Sequence, residues 1–277
     1  FYDPNNDWWV LYFRRGPIAW INTNNLVGSW SDIDLSPLTS VDPSDNILAF
    51  VGGKYILYPR TAFISDTPPY KYYVSDDLTS WSLISVPDDS QYYTIREVFY
   101  DGTFWYIIAD PVPFGPPTEL WRSSDGAASF TIANPDLSTI FSSVPIAGGV
   151  LDMTANPDGK LVALDSDVGD GLWSSVSLDG GETWDAPNQI TTFGSTSGYM
   201  LFVDGYFLFV CEIFDNGIGS TDCGILYSSP DGYNWERCGV GRFIGDVSRL
   251  PATDIWVCMT NLGLLSGTPF LAFKKGL

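Results

Sequence analysis

The sequence predicts an all-β protein built from repeated four-stranded antiparallel units. Along the 277 residues one motif recurs, Ser-x-Asp followed closely by Trp or Phe, between two short apolar runs. Apolar runs on both sides of a turn are typical of a β-hairpin, and a second such hairpin precedes each motif. The closing aromatic residues recur about every fifty residues, and four strands at that period are typical of a β-propeller blade.

The first hairpin of each unit turns at residues suited to positive φ. Asp101-Gly102, Asp204-Gly205 and Gly52-Gly53 each separate two apolar runs, and tight hairpin turns require these residue types. Six first hairpins and five motif hairpins can be traced, with no helical periodicity between them. We therefore predict a six-bladed propeller, its sixth blade diverged, as a single domain over residues 1–277.

The Asp and the aromatic residue of the motif have a structural interpretation. An Asp side chain in a turn accepts hydrogen bonds from nearby backbone N–H groups, while the aromatic ring packs over the hairpin. We expect such roles, rather than catalytic or metal-binding ones, for Asp77, Trp81, Asp125, Phe130, Asp179, Trp184, Asp231 and Trp235.

This motif resembles the Asp-box, or BNR repeat, of sialidase-like propellers. The copy at Ser177, Asp179, Gly181 and Trp184 matches in full, two copies are one residue shorter, and Phe130 replaces Trp in another. The resemblance covers essentially the whole chain and implies the propeller fold. It implies no single function, because Asp-boxes occur in sialidases, other glycosidases, assembly factors, receptors and phage tail proteins.

Composition excludes several functions. The chain has 33 acidic and 13 basic residues, a net charge of −20, which repels phosphate backbones, so we expect no nucleic-acid partner. It has no His, which excludes imidazole catalysis and His-ligated zinc. The most apolar stretch, residues 199–214, is interrupted by Asp204-Gly205 and is too short to span a bilayer, so we expect no membrane insertion.

Two local features leave alternatives open. Cys211 and Cys223 flank a hairpin loop and either form a disulfide in an oxidising compartment or stay buried thiols; Cys238 and Cys258 have no CxxC spacing. The acidic loop 165–171 either binds Ca²⁺ through Asp165, Asp167 and Asp170 or is a solvated turn, since no Glu closes it as in an EF-hand. We expect no other cofactor.

The long connections are predicted to share one face of the propeller, opposite the compact turns. Loops on a rigid scaffold commonly carry binding residues, so we expect a ligand groove across blades two to five. Carboxylates, aromatic rings and arginines suit sugar hydroxyls and CH faces, although polar propeller loops without a ligand would look similar. The candidate ligand-binding residues are Arg60, Asp66, Tyr70, Tyr93, Arg96, Glu97, Asp110, Phe114, Glu119, Arg122, Asp167, Asp170, Glu212 and Asp215.

Three functions fit these features. The favoured one is a non-catalytic module that binds a glycan or a protein surface such as a host receptor, in an extracellular or virion-attached protein. The second is a sialidase-like glycoside hydrolase, for which no catalytic residues can be named because the arginine motif of that family is not matched. The third is a structural decoration or assembly subunit. Since the chain begins at Phe1, we expect it to belong to a longer protein.

Overall fold

A computed structural model describes most of the chain. The described residues are 2–3, 8–12, 18–22, 30–35, 46–59, 71–88, 92–112, 117–144, 150–167, 171–192, 197–203, 205–213, 223–241, 247–249, 255–259 and 270–274. The chain divides into two compact units, Phe1–Leu137 and Ser138–Leu277. Among the described residues the regular elements are β-strands, apart from a 3₁₀-helix at Leu137–Phe141.

The first unit contains three four-stranded antiparallel sheets. Sheet 1 consists of β1 (Tyr2–Asp3), β2 (Trp8–Tyr12), β3 (Ile18–Asn22) and β4 (Ser31–Asp34). Sheet 2 consists of β5 (Asn46–Val51), β6 (Lys54–Pro59), β7 (Tyr73–Ser75) and β8 (Trp81–Leu83). Sheet 3 consists of β9 (Tyr92–Tyr100), β10 (Trp105–Val112), β11 (Glu119–Ser123) and β12 (Thr131–Asn134).

The second unit contains the remaining three sheets. Sheet 4 consists of β13 (Asp152–Ala155), β14 (Leu161–Asp167), β15 (Gly171–Ser177) and β16 (Asn188–Thr191). Sheet 5 consists of β17 (Ser197–Val203), β18 (Tyr206–Ile213), β19 (Cys223–Ser229) and β20 (Glu236–Gly241). Sheet 6 has three strands within the described residues, β21 (Val247–Arg249), β22 (Ile255–Met259) and β23 (Phe270–Lys274).

The all-β prediction and the four-stranded antiparallel blade are confirmed. In every sheet the strands lie in chain order, each pairing antiparallel with the next. The side chains of sheets 2 to 5 are largely described, whereas sheets 1 and 6 are described mostly by their backbone. In the first unit a buried cluster that includes Ile56, Ile107 and Trp121 joins sheets 2 and 3; in the second, Val162, Val176 and Phe209 belong to one cluster that joins sheets 4 and 5.

The repeated motif forms a tight turn between the third and fourth strands of sheets 2 to 5. We call these segments, 75–81, 123–130, 177–184 and 229–235, the Ser-Asp turns. In the last of them Ser229 Oγ donates to Asp231 Oδ1 (3.0 Å) and accepts from Gly232 N (2.8 Å), while Asp231 Oδ1 also accepts from Asn234 N (2.8 Å). The Trp235 indole N–H donates to Gly232 O at 2.9 Å, so the motif is satisfied within its own turn.

These hydrogen bonds lower the pKa of the turn aspartates. The hydroxyl and backbone N–H of Ser129 hold the pKa of Asp125 at about 2. At Asp231 burial alone would raise the pKa, but hydrogen bonds from Asn234 and Tyr233 outweigh it and bring the pKa to about 2. Both carboxylates are therefore charged over the whole neutral range.

Two of these turns, 123–130 and 229–235, also contact the sheet before them or the segment that follows it. In the second unit Trp235 Nε1 reaches Ser174 Oγ of β15 at 3.2 Å, and Lys160 Nζ at the start of β14 donates to Asp231 O at 3.0 Å. In the first unit Ser85 N donates to Ala128 O (2.9 Å), and Phe130 N donates to Ser85 O (2.8 Å). The turn thus joins neighbouring sheets as well as neighbouring strands.

Candidate functional site

The candidate site lies at one end of sheet 3, in the first unit. Strands β9 and β10 pair from Tyr100↔Trp105, beside the Asp101-Gly102 turn, to Tyr92↔Val112 at the opposite end. The connection from β10 to β11 leaves the sheet at that opposite end, which we call the long-loop end. Five of the predicted ligand-binding residues lie towards it: Tyr93, Arg96, Glu97, Asp110 and Glu119.

A β-bulge places Arg96 at this end of the sheet. Ile108 pairs with Glu97 and Ala109 pairs with Ile95, so the register passes over Arg96, which is the extra residue of the bulge. A bulge bends its strand and re-aims a side chain, and bulges are over-represented beside functional sites. In the buried cluster that joins sheets 2 and 3, the residues from β9 change from Tyr93 and Ile95 before the bulge to Val98 after it, with Tyr100 packed against the cluster. The bulge therefore reverses the parity of the positions that face this cluster.

The repeats provide an internal comparison for this bulge. Sheets 3, 4 and 5 share a bulge between their third and fourth strands, with Ala133, Ile190 and Cys238 as the extra residues. That shared bulge is part of the repeat. Between first and second strands, by contrast, the described residues show an irregularity only in sheet 3, at Arg96. The Arg96 bulge therefore departs from the repeat.

Arg96 forms a polar network with Asp110 and Thr118. Arg96 Nε donates to Asp110 Oδ2 at 2.7 Å, and Thr118 Oγ1 donates to Asp110 Oδ1 at 2.6 Å, so both carboxylate oxygens are held. The Arg96 side chain is 40% exposed and that of Asp110 is 22% exposed. The network is thus ordered by its own hydrogen bonds and still accessible to a ligand.

The opposite face of the same strands carries a second, buried group. Trp121 Nε1 donates to Glu119 Oε2 at 2.7 Å, and the rings of Tyr93 and Trp121 meet edge to face with their centroids 4.6 Å apart. Tyr93 is 2% exposed and Trp121 is fully buried. Thr118 and Glu119 are consecutive residues at the start of β11, so their side chains point to opposite faces of the sheet. Thr118 donates to Asp110 on one face, and Glu119 accepts from Trp121 on the other.

The surroundings of Tyr93 oppose a nucleophilic role. Burial, followed by the negative charges of Glu119 and Asp88, raises the pKa of Tyr93 to about 12. A tyrosine nucleophile needs an accessible phenol whose ionisation the site favours. Tyr93 was predicted to face a ligand, but the structure places its side chain in the core between sheets 2 and 3.

Arg122 lies away from this network, and Glu97 is the neighbour of Arg96 on β9. Arg122 pairs with Tyr106, and its guanidinium lies 5.1 Å from the centre of the Phe104 ring, towards the compact-turn end of the sheet. The prediction had placed Arg122 at the long-loop face; the strand from Glu119 to Ser123 runs to the other end before Arg122 is reached. Glu97 pairs with Ile108, beside the bulge.

The other predicted ligand-binding residues are described incompletely or not at all. Asp167 and Glu212 lie in β14 and β18, where their backbones pair with Gly171 and with Ser197 and Gly224. The residues that lie outside the described part of the chain are Arg60, Asp66, Tyr70, Phe114, Asp170 and Asp215.

The Ca²⁺ alternative concerns the carboxylates of Asp165, Asp167 and Asp170. Asp165 is buried and its Oδ1 accepts from Ser166 N at 2.7 Å. Within the described residues no three His, Cys, Asp or Glu side chains gather as a metal site would require. Because Asp170 lies outside those residues, the Ca²⁺ loop stays a prediction.

The cysteine alternatives are narrowed by strand register. Cys211 pairs with Ile225 and Cys223 with Ile213, so the two cysteines are not opposite each other. Cα atoms of diagonal neighbours lie about 7–8 Å apart, whereas a disulfide needs at most about 6.8 Å. The backbone register thus does not set the two residues opposite each other, and the choice between a disulfide and two thiols stays a prediction. Cys238 is a free thiol, with its Sγ 2.8 Å from Ser228 Oγ.

Sequence reasoning missed Thr118 and Trp121, which hold the two carboxylates, and the bulge that positions Arg96. The bulge has a sequence signal. In Tyr93-Thr94-Ile95-Arg96-Glu97-Val98 the alternation of apolar and polar residues breaks at two adjacent charges, and a break in period two is what an inserted residue produces. Thr118 has no comparable signal, because only the folded loop brings it to Asp110.

Comparisons with known proteins show the fold. No family model matches the chain, and no curated protein matches it. Among solved structures, YCF48 bound to D1 peptide is similar with a TM-score of 0.53 and 16% identity, over 94% of this chain and 73% of that one. This likeness supports a β-propeller and shows the fold alone. It does not show membership of the sialidase-like or Asp-box proteins, which stays a prediction.

Weaker likenesses accompany it. The Aleuria aurantia lectin in complex with α-methyl-L-fucoside has a TM-score of 0.47 and 12% identity, over 81% of this chain and 69% of that one. An α-L-arabinofuranosidase from Clostridium thermocellum has a TM-score of 0.47 and 12% identity, over 82% of this chain and 88% of that one. Both similarities are too low to indicate a function for this chain.

The sequence predicts no membrane insertion, because its most apolar stretch is too short to span a bilayer. Within the described ranges no helix has the length and apolar character needed to cross a bilayer.

Proposed function

We propose that this chain is a non-catalytic binding module whose site around Arg96 and Asp110 recognises a glycan. The observation that carries the proposal is the Arg96 bulge, which breaks the repeat at one position and builds a hydrogen-bonded, partly exposed network there. A departure from a repeated scaffold that orders polar groups at a loop end is more readily explained by ligand binding than by stability.

The chemistry of the site favours a glycan over an apolar peptide. Guanidinium, carboxylate and hydroxyl groups lie side by side at Arg96, Asp110 and Thr118, and sugar hydroxyls can bond with all three. Protein interfaces usually have large apolar or aromatic side chains at their centre. The exposed large apolar side chains of the described residues, Leu83, Ile132 and Leu178, belong to fourth strands or a turn instead.

The glycosidase alternative is disfavoured at this site. Its carboxylates are held as acceptors by Arg96, Thr118 and Trp121, and Tyr93 is buried with a pKa of about 12. A retaining sialidase-like mechanism would need that tyrosine accessible and readily ionised.

A structural or assembly role is a second candidate, supported by a separate observation. Leu83 on β8 and Ile132 on β12 are 60% and 44% exposed on the outer strands of sheets 2 and 3. Single exposed apolar residues are common on soluble proteins, so this role ranks below glycan binding.

We further propose that the six sheets belong to one six-bladed propeller and that the module works on an extracellular or virion surface, attached to a host receptor. Six chain-ordered antiparallel sheets support the blade number. The location is supported by the sequence resemblance of the Ser-Asp turns to Asp-boxes. Cross-links between residues of the two units, mapped by mass spectrometry, test the closure.

A glycan array tests the binding function. We expect the wild-type chain to be retained by a subset of glycans, and Arg96→Gln to lose at least tenfold in affinity because the charge-assisted bond to Asp110 is removed. Arg237→Gln is the matched control, since Arg237 is exposed on β20 and pairs with Tyr227 beside a Ser-Asp turn. A peptide array is included because the similar YCF48 structure holds a peptide. Retention by peptides alone, or equal binding by both variants, would contradict the proposal.

A further inference from the structure

We infer that the site at Arg96, Asp110 and Thr118 takes an uncharged glycan, one that has no carboxylate, sulfate or phosphate group at the contact. This inference rests on the proposed glycan-binding function and adds the charge class of the ligand. It differs from the resemblance to sialidase-like proteins, which by itself would suggest an acidic sugar held by arginines.

The charge of Arg96 is already balanced within the site. Arg96 Nε lies 2.7 Å from Asp110 Oδ2, and the other oxygen of Asp110 accepts from Thr118 Oγ1 at 2.6 Å. An acidic ligand would have to compete with Asp110 for the guanidinium. If the ligand displaced Asp110, the Asp110 carboxylate, which is 22% exposed, would lie beside a second anion. Like charges in contact are unfavourable.

The charges around the site have the same sign as Asp110. At the long-loop ends of sheets 2 and 3 the described cations are two and the described anions are five, a balance of 2 − 5 = −3. The residues are Lys71, Arg96, Asp88, Glu97, Asp110, Glu119 and Asp136. Glu119 and Asp88, after burial, also raise the pKa of Tyr93. The whole chain, at −20, adds to this negative potential.

An uncharged sugar can use the network as it stands. A hydroxyl group both donates and accepts, so it can donate to Asp110 and accept from Arg96 without displacing either partner. Two neighbouring hydroxyls of one ring would bridge the guanidinium and the carboxylate. No ion has to be moved and no charge is left uncompensated, which keeps the cost of binding low.

The test uses glycans in matched pairs with the wild-type chain. Galactose-terminated oligosaccharides are compared with their sialylated forms, and mannose-terminated oligosaccharides with their sulfated forms, by calorimetric titration at 50 and 500 mM NaCl. We expect the uncharged member of a pair to bind at least about tenfold more tightly at low salt. The affinity of the uncharged member should change less than about twofold between the two salt concentrations. The difference in affinity between the two members should narrow at the higher one.

A charge-removing variant sharpens this result. Asp88→Asn removes a negative charge near Tyr93 without changing Arg96, Asp110 or Thr118. For an uncharged glycan we expect less than a twofold change, whereas an acidic glycan should gain about two- to fourfold from the lost repulsion. Asp76→Asn is the control, since Asp76 pairs with Lys54 at the compact-turn end of sheet 2 and is 74% exposed.

The outcomes separate the inference from the function on which it rests. Tighter binding of the sialylated or sulfated member, weakened by salt and lost in Arg96→Gln, overturns the charge inference and leaves glycan binding in place. Binding of neither member at millimolar concentration overturns both. Preference for the uncharged member, whose own affinity is insensitive to salt and to Asp88→Asn, supports the inference.

Discussion

Replacing Gly232 by Ala should destabilise the second unit through one contact between sheets. A Cβ at Gly232 would lie 2.6 Å from Val162 Cγ2 and 3.1 Å from Val176 Cγ2, and φ is +82° there. Gly205 is a matched control, because its φ is +86° but a Cβ there would meet nothing within 4 Å. Both substitutions strain the backbone alike, and only the first adds a clash.

The magnitudes can be worked out separately. The left-handed conformation costs Ala about 1–2 kcal/mol, and the smaller conformational freedom of the unfolded chain offsets about 0.4–1 kcal/mol of that. Gly205→Ala should therefore cost about 0–1.5 kcal/mol. Val162 is fully buried and Val176 is 1% exposed, and β-branched side chains in dense packing adjust little. Overpacking then adds about 1–3 kcal/mol at Gly232.

Urea unfolding followed by tryptophan fluorescence measures both variants. We expect Gly232→Ala to lose about 1–3 kcal/mol more free energy of unfolding than Gly205→Ala. Combining Gly232→Ala with Val162→Ala should cost less than the sum of the two single changes, because the truncated side chain makes room for the new methyl group. Equal losses at Gly232 and Gly205, within about 0.5 kcal/mol, would refute the contact between turn and sheet.

Three further predictions follow from the turns and the buried tyrosine. Since the folded pKa of Asp125 is about 2 and its ordinary value 3.8, its stabilisation is complete above about pH 4 and is lost as the pH falls towards 2; the urea midpoint of Asp125→Asn should vary less between pH 2 and 4 than that of wild type. Trp235→Phe removes the indole bonds to Gly232 O and Ser174 Oγ, and the free energy of unfolding should fall by about 1–3 kcal/mol. Tyr93 should remain protonated up to about pH 11, given a pKa of about 12, so Tyr93→Phe should leave the ultraviolet titration below pH 11 unchanged; a lost phenolate signal near pH 10 would contradict its burial.

The repeat made most of the fold predictable. The fifty-residue spacing of Trp81, Phe130, Trp184 and Trp235 follows from a unit of four strands, and Asp101-Gly102 marks a turn that the structure shows. Periodicity and turn chemistry are local properties, so one sequence suffices to read them. The number of blades in the closed propeller is not a local property, because it depends on how distant parts of the chain meet.

The candidate site was predictable only in part. Arg96, Asp110 and Glu119 were expected near one another because they flank the long loops, and the structure brings them to one sheet end. Tyr93 was misplaced because its burial depends on a neighbouring sheet, which the alternation within β9 does not reveal. Arg122 was misplaced because the level at which a residue lies on a strand depends on where the preceding loop ends.

The contact between the Ser-Asp turn 229–235 and sheet 4 has a consequence for synthesis on the ribosome. Val162 and Val176 of sheet 4 are covered by the turn that contains Gly232, which is made about 55 residues after Val176. At roughly 5–20 residues per second that delay lasts about 3–11 s. During this interval the nascent sheet exposes apolar surface that its successor will later cover, so a chaperone that binds such surface would be most useful between the fourth and fifth sheets.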